Sequence, residues 1–333
     1  MGALRLALSA PSCPARDGKA GESRHVMCCD ATTRSRISDA DDRNGRASEI
    51  ERERLTVSTA AAPPMEERFV DLGGRRLRFL IGGTGKPLVL CHGFISSGEE
   101  FGGRFAALAS QHTLIAPDLP GNGQSAPLPS RHTAEAMAGT VWELLDHLGI
   151  RSFDLAGLCL GASVACAMAA DDEGAVDHLI LHTPLLGERL IRAQYRWQVR
   201  ILTVRPLWAQ VAWLSRRRTV SDLYKRIAIE GKVVDPYTAD VNYLNQRRAN
   251  PRAAREWLAD ALGRQDLDLV RTRAKPTMII VPEHDRLVNV ERLRAMVAPL
   301  ENVELVVDKQ GGHGWSPDAV VRHLALMRLA LTD

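Results

Sequence analysis

The chain has 333 residues, 45% of them hydrophobic and 25% charged, with a formal net charge of +3. That composition suits a globular chain with a sizeable core, and the charge is too small to indicate a nucleic-acid partner. No run approaches the roughly eighteen apolar residues of a transmembrane helix, so no membrane span is expected.

Residues 1–65 are polar and rich in Gly, Ser and Ala, as in "DATTRSRISDADDRNGRASEIERERL". Such a stretch buries too little apolar surface to offset the entropy of ordering it. It reads as a disordered leader, as sequence upstream of initiation near Met65, or, third, as a targeting peptide. From Phe69 the pattern becomes strand-like. "RFVDLGG" and "RRLRFLIGG" alternate and meet at a Gly-Gly turn, which predicts a hairpin.

"KPLVLCHG", "HTLIAPDLPG", "SFDLAG", "VDHLILHTP", "KPTMIIVPE" and "NVELVVD" are short apolar strands of the kind buried on both faces. Helical patterns lie among them: "RFAALASQ", "AEAMAGTVWELLDHLG", "ASVACAMAADD", "VERLRAMVAPL" and "PDAVVRHLALMRLAL". This alternation predicts an α/β fold, a mostly parallel central sheet flanked by helices. Residues 185–264 break it. They are helical in pattern, hold Trp197, Trp208, Trp213 and Trp257, and carry sixteen Arg and Lys against seven Asp and Glu. We read them as a helical cap inserted after the sixth strand, dividing a core of residues 66–184 and 265–333. The cap tryptophans fit core packing better than a substrate platform.

Cysteine usage narrows the setting. Cys13, Cys28, Cys29, Cys91, Cys159 and Cys166 form neither C-x-x-C pairs nor the density of a secreted scaffold. A reducing, cytoplasmic location is expected, with no metal, no cofactor and no nucleotide: "GGTGKP" lacks the spacing of a phosphate loop.

Parallel sheets of this kind bind ligands at the carboxyl ends of their strands. Those ends carry "HGFISSG", "DLPGNGQS", "GLCLG", "PEHDRLV" and "GGHGWS", so that Cys159, Asp285 and His313 follow in order. The H-G pair, the D-x-x-G-x-G-x-S loop, the G-x-C-x-G elbow, the D-x-x-V loop and the G-G-H-G loop together resemble the α/β-hydrolase superfamily. The resemblance runs from about residue 66 to the C-terminus. The departure is Cys159 where serine is usual, and in this respect the chain is similar to dienelactone hydrolases, polyhydroxyalkanoate synthases and some thioesterase domains.

The resemblance implies a capped member with Cys159 as nucleophile, His313 as base and Asp285 as its orienting acid, Glu283 being the rival acid. The backbone N–H groups of Phe94 and Leu160 would form the oxyanion hole, with His92, Gly93, Gly157 and Gly161 supporting the elbow. Leu158, His182 and Trp315 are candidate pocket residues, though His182 serves a core hydrogen bond equally well. Asp118 and Ser125 read as loop supports, and Cys91 and Cys166 as buried hydrophobes.

The expected activity is hydrolysis of an ester, thioester or lactone through an acyl-thioester enzyme. Acyl transfer or cyclisation by the same triad is the alternative, and a non-catalytic ligand-binding protein is the alternative from another class. An epoxide hydrolase or dehalogenase would need a carboxylate at position 159. The expected partner is a small acyl substrate, free or bound to a carrier protein or coenzyme A, with neither nucleic acid nor membrane involved.

Overall fold

A computed structural model describes residues 64–224, 226, 236–314 and 317–331. All but the last two residues of the expected leader fall outside these, as does Trp315. Eight strands form one sheet: β1 (Glu66–Leu72), β2 (Arg75–Gly82), β3 (Lys86–Cys91), β4 (His112–Pro117), β5 (Phe153–Leu158), β6 (Val176–His182), β7 (Thr277–Pro282) and β8 (Val303–Asp308). Their spatial order is β1-β2-β4-β3-β5-β6-β7-β8, with β1, β2 and β4 antiparallel in sequence across the edge and all later pairs parallel. Gly73 and Gly74, both at positive φ, close the β1–β2 hairpin with the two-residue turn that the twist of the strands favours.

Successive residues of the central strands feed opposite faces. Val89 and Cys91 join one apolar cluster, while Leu88 and Leu90 join the other. This is why the strands read as continuous apolar runs. The first cluster is covered by α2 (Ala134–His147), α3 (Gly161–Asp171) and α10 (Val290–Val297); the second by α1 (Gly98–Arg104) and α11 (Pro317–Ala330). The α2 helix is bounded as its sequence asks. The Thr133 hydroxyl accepts the N–H of Ala136, and at the far end Gly149 at φ 70° lets Ile150 N bond Leu145 O and Gly149 N bond Asp146 O.

One helix departs from expectation. The pattern "RFAALASQ" predicts a helix starting at Arg104, whereas α1 ends there and a 3₁₀ turn follows over Ala106–Ser110. The glycines of α1 hide it from a propensity reading, yet they are needed. A Cβ at Gly98 would lie 2.2 Å from the Ala116 carbonyl oxygen, and one at Gly102 2.7 Å from the Ala116 Cβ. The helix sits that close to β4.

Between β6 and β7 the described residues form α4 (Ala193–Leu202), α5 (Arg205–Ser215), α6 (Arg218–Tyr224), α7 (Pro236–Arg248), α8 (Pro251–Asp260) and α9 (Asp266–Thr272). Among the described residues no helix is long and apolar enough to cross a membrane. The crossover after β4 passes to the opposite side of β3, so the crevice between the carboxyl ends of β3 and β5 lies at the switch point of the sheet, where such folds take their ligands.

Candidate active site

Cys159 follows β5 directly and holds φ at 53°, a left-handed backbone that costs a non-glycine residue of the order of 1–3 kcal/mol. The turn is pinned on both sides. Cys159 N donates to the His182 carbonyl on β6 at 2.9 Å, and Ala162 N donates back to the Cys159 carbonyl at 3.2 Å. Gly161 permits this: a Cβ there would lie 2.2 Å from the His92 carbonyl oxygen and 2.3 Å from that of Cys91. At Gly157 a Cβ would come within 2.6 Å of the Ala162 Cα. Ile95 and Thr183 also have positive φ, so among the described residues every such non-glycine position lies just beyond β3, β5 or β6.

His313 lies in the loop after β8, buried, with Nδ1 2.8 Å from Asp285 Oδ2. Asp285, in the loop after β7, is buried, whereas Glu283 is exposed. Burial alone would push His313 down; the Asp285 carboxylate and the Cys159 sulfur outweigh it and hold the imidazole well above its ordinary value of 6.5. Both loops are tied. Asp285 Oδ1 accepts the N–H groups of Leu287 and Val288 at 2.7 and 2.8 Å, and Arg192 Nε donates to the Asp285 carbonyl at 2.9 Å. Behind His313, Arg322 bridges the Asp308 carboxylate and the Gln310 carbonyl. Arg192 and Arg322 carry no motif, and sequence reading missed them.

His92 is buried at the end of β3, where burial holds it below 6.5 and therefore neutral. Leu119 N donates to its Nε2 at 2.9 Å, so the ring proton is on Nδ1 and is donated to the Gly93 carbonyl at 2.8 Å. In a trans peptide the C=O and N–H point oppositely, so this grip on the Gly93 carbonyl sets the direction of the Phe94 N–H. The Leu160 N–H stands at the start of α3, where helical N–H groups have no partner within the helix. Phe94, Leu160, Leu158, Cys159 and His313 all line one cavity of about 480 Å³. Its far wall comes from α4–α8 and is mostly apolar, with Tyr195, Leu202, Trp208 and Leu258 among its residues.

His182 corrects the expectation of a pocket role. It shares with Ile180 the face of β6 that packs under α1 and α11, and its ring contacts Phe101, Phe105 and His323. The two-residue period of the strand turns it away from the crevice. Asp118 is a loop support: it accepts from Arg78, Gly98 N and Gln124 N while buried. Ser125 accepts from Arg78 N. Of the four tryptophans expected in the core only Trp257 is there, packed edge-on to both His92 and Phe94; Trp208 is buried in the cavity wall, and Trp197 and Trp213 are 62% and 60% exposed. Cys91 and Cys166 are buried, and burial pushes the Cys91 thiol up to about 12, whereas Cys159 is partly exposed in the cavity. His313 thus has the Asp285 carboxylate 2.8 Å from Nδ1 and feels the Cys159 sulfur, in a cavity that Phe94 and Leu160 also line; an imidazole beside a thiol can move a proton off sulfur.

The sequence pattern of the alpha/beta hydrolase fold family matches residues 86–316. Among curated proteins the chain is 38% identical over 122 residues to a soluble epoxide hydrolase of Corynebacterium sp. (strain C12), a match covering 37% of this chain and 42% of that protein. It is 25% identical over 242 residues to the pyrrolizixenacetamide deacetylase of Xenorhabdus hominickii, covering 68% of this chain and 84% of that protein. The chain thus spans less than half the length of the epoxide hydrolase. Among solved structures, a thermophilic esterase from Thermogutta terrifontis superposes with a TM-score of 0.64 at 23% identity, over 81% of this chain and 98% of that one. The epoxide hydrolase CorEH gives 0.65 at 24% identity, over 80% and 98%. At these identities the likeness is one of fold.

Proposed function

The chain belongs to the alpha/beta hydrolase fold family, and on that premise we propose that it hydrolyses an ester, thioester or lactone through a thioester formed on Cys159. The observation that carries this reading is that Cys159 and His313 line one mostly apolar cavity, with the His313 ring 2.8 Å from the Asp285 carboxylate. His313 holds at Nε2 the proton taken from the thiol while the sulfur bonds to the carbonyl carbon, and the carbonyl electrons move onto oxygen. That oxyanion sits against the N–H groups of Phe94 and Leu160. Its collapse expels the alcohol or thiol, which leaves with the proton from His313. Water, deprotonated by His313, then attacks the thioester and restores the thiol. Asp285 keeps the imidazole in the tautomer that can accept at Nε2.

The names of the epoxide hydrolase relatives do not transfer, because alkyl-enzyme chemistry of that kind needs a carboxylate where this chain has Cys159. The apolar cavity wall favours a second reading within the same class: with water scarce near the thioester, an amine or thiol acceptor would take the acyl group, giving transfer or cyclisation. The positive charge of residues 185–264 suits delivery of the acyl group on coenzyme A or an acidic carrier protein. Rapid mixing with an activated ester tests the proposal. A burst of one leaving group per chain, followed by slower turnover, supports it; release that alkylation of Cys159 leaves unchanged overturns the thioester, and no release above that of buffer alone argues for a ligand-binding protein instead.

A further inference from the structure

The wall of the cavity facing Cys159 is mostly apolar; apart from Gln198, Tyr195, Tyr224 and the exposed Arg216, its polar side chains gather where α5, α6 and α7 meet. Ser215, Ser221, Asn242 and Gln246 line it there. Ser221 is 4% exposed and its hydroxyl has no hydrogen-bond partner among the described residues; Asn242 is 6% exposed; Gln246 donates to Ser215 at 3.0 Å. A buried hydroxyl left without a partner is costly, and a hydrocarbon chain in this cavity would leave it so. These four side chains carry both donors and acceptors and no charge.

We propose that they form a subsite for a neutral oxygen function, a hydroxyl or carbonyl, borne on an otherwise apolar acyl group and remote from the reacting carbonyl. This deepens the acyl-enzyme reading and rests on it for the identity of the ligand as an acyl group. A carboxylate is disfavoured because Ser221 and Asn242 would have to desolvate it with no buried countercharge among the described residues of the subsite, Arg216 of the same lining being exposed.

The test uses linear acyl thioesters of N-acetylcysteamine over a range of chain lengths, each paired with its ω-hydroxy counterpart. At the length that reaches α6 the hydroxy substrate gains about tenfold in kcat/KM, through KM. Ser221→Ala brings the pair to parity without lowering Tm, and Ser221→Thr keeps the preference. No preference at any length, or a preference that survives Ser221→Ala, overturns the subsite; either result would leave Ser221 with at most a bound water. A second arm needs no chemistry: calorimetry of Cys159→Ala with linear alcohols against the matching terminal diols. If no thioester acylates the wild type but diols bind better and lose that advantage in Cys159→Ala/Ser221→Ala, the acyl-enzyme reading fails and the subsite stands. If acylation proceeds while diols and alcohols bind alike, the subsite falls alone.

Discussion

The carboxylate of Asp285 is divided between a ring and a turn: Oδ2 lies 2.8 Å from His313 Nδ1, while Oδ1 accepts the N–H groups of Leu287 and Val288. An asparagine can keep its oxygen on the two backbone donors, but it then offers an NH₂ group to the ring. The imidazole must turn its lone pair toward that donor and put its proton on Nε2, where it can no longer accept from the thiol. Asp285→Asn is therefore expected to lose about three to four powers of ten in kcat, with a Tm close to wild type. Steady-state kinetics and a thermal melt on the same preparation check both halves.

His313 also gives a pH signature. Its folded pKa is raised, so its protonation stabilises the fold fully below 6.5, and that contribution is lost as pH rises through the folded value. Cys159→Ala removes one of the two groups that raise it. NMR titration of the ring should show a lower pKa in Cys159→Ala than in wild type, and the stability should fade at a lower pH. An identical titration in the two proteins would mean that the ring does not face the sulfur.

The strained turn makes a prediction that separates fold from chemistry. With φ at 53°, position 159 suits glycine better than any other residue. Cys159→Gly should be about 1 kcal/mol more stable than Cys159→Ala in denaturant unfolding, both being inactive. Gly161→Ala should instead cost several kcal/mol, because its Cβ would fall on the carbonyls of Cys91 and His92.

His92 acts through a neighbouring peptide. Its replacement by alanine frees the Gly93 carbonyl and with it the direction of the Phe94 N–H. The expected loss is about a hundredfold or more in kcat with KM little changed, since the donor matters to the oxyanion more than to the ground-state carbonyl. Loss confined to KM would place His92 in the scaffold only.

Much of the molecule was legible in the chain because its physics is local. Strands such as "LVLC" are buried on both faces and read as apolar runs, and the Thr133 and Gly149 caps bound α2 where the pattern ends. The residues at strand ends could be aligned because each follows such a run. What escaped depends on contacts between distant segments. The glycines of α1 look like helix breakers until Ala116 is placed beside them. Nothing near Arg192 announces the Asp285 carbonyl, 93 residues away. His182 ends a strand like the site residues, and only the pleat decides that it faces the phenylalanines. The polar group of the cavity wall is drawn from three helices and has no spacing to find.

Everything proposed for the site depends on Cys159 carrying the acyl group. The most direct measurement is intact-mass spectrometry after incubation with a panel of acyl thioesters and activated esters, followed by peptide mapping of any adduct. A single added acyl mass is expected on the peptide containing Cys159, discharged by an added thiol or amine and absent from Cys159→Ala, with Cys91 and Cys166 unmodified. An adduct of the same size on Cys159→Ala, or one that maps to Cys91, would contradict that role for Cys159.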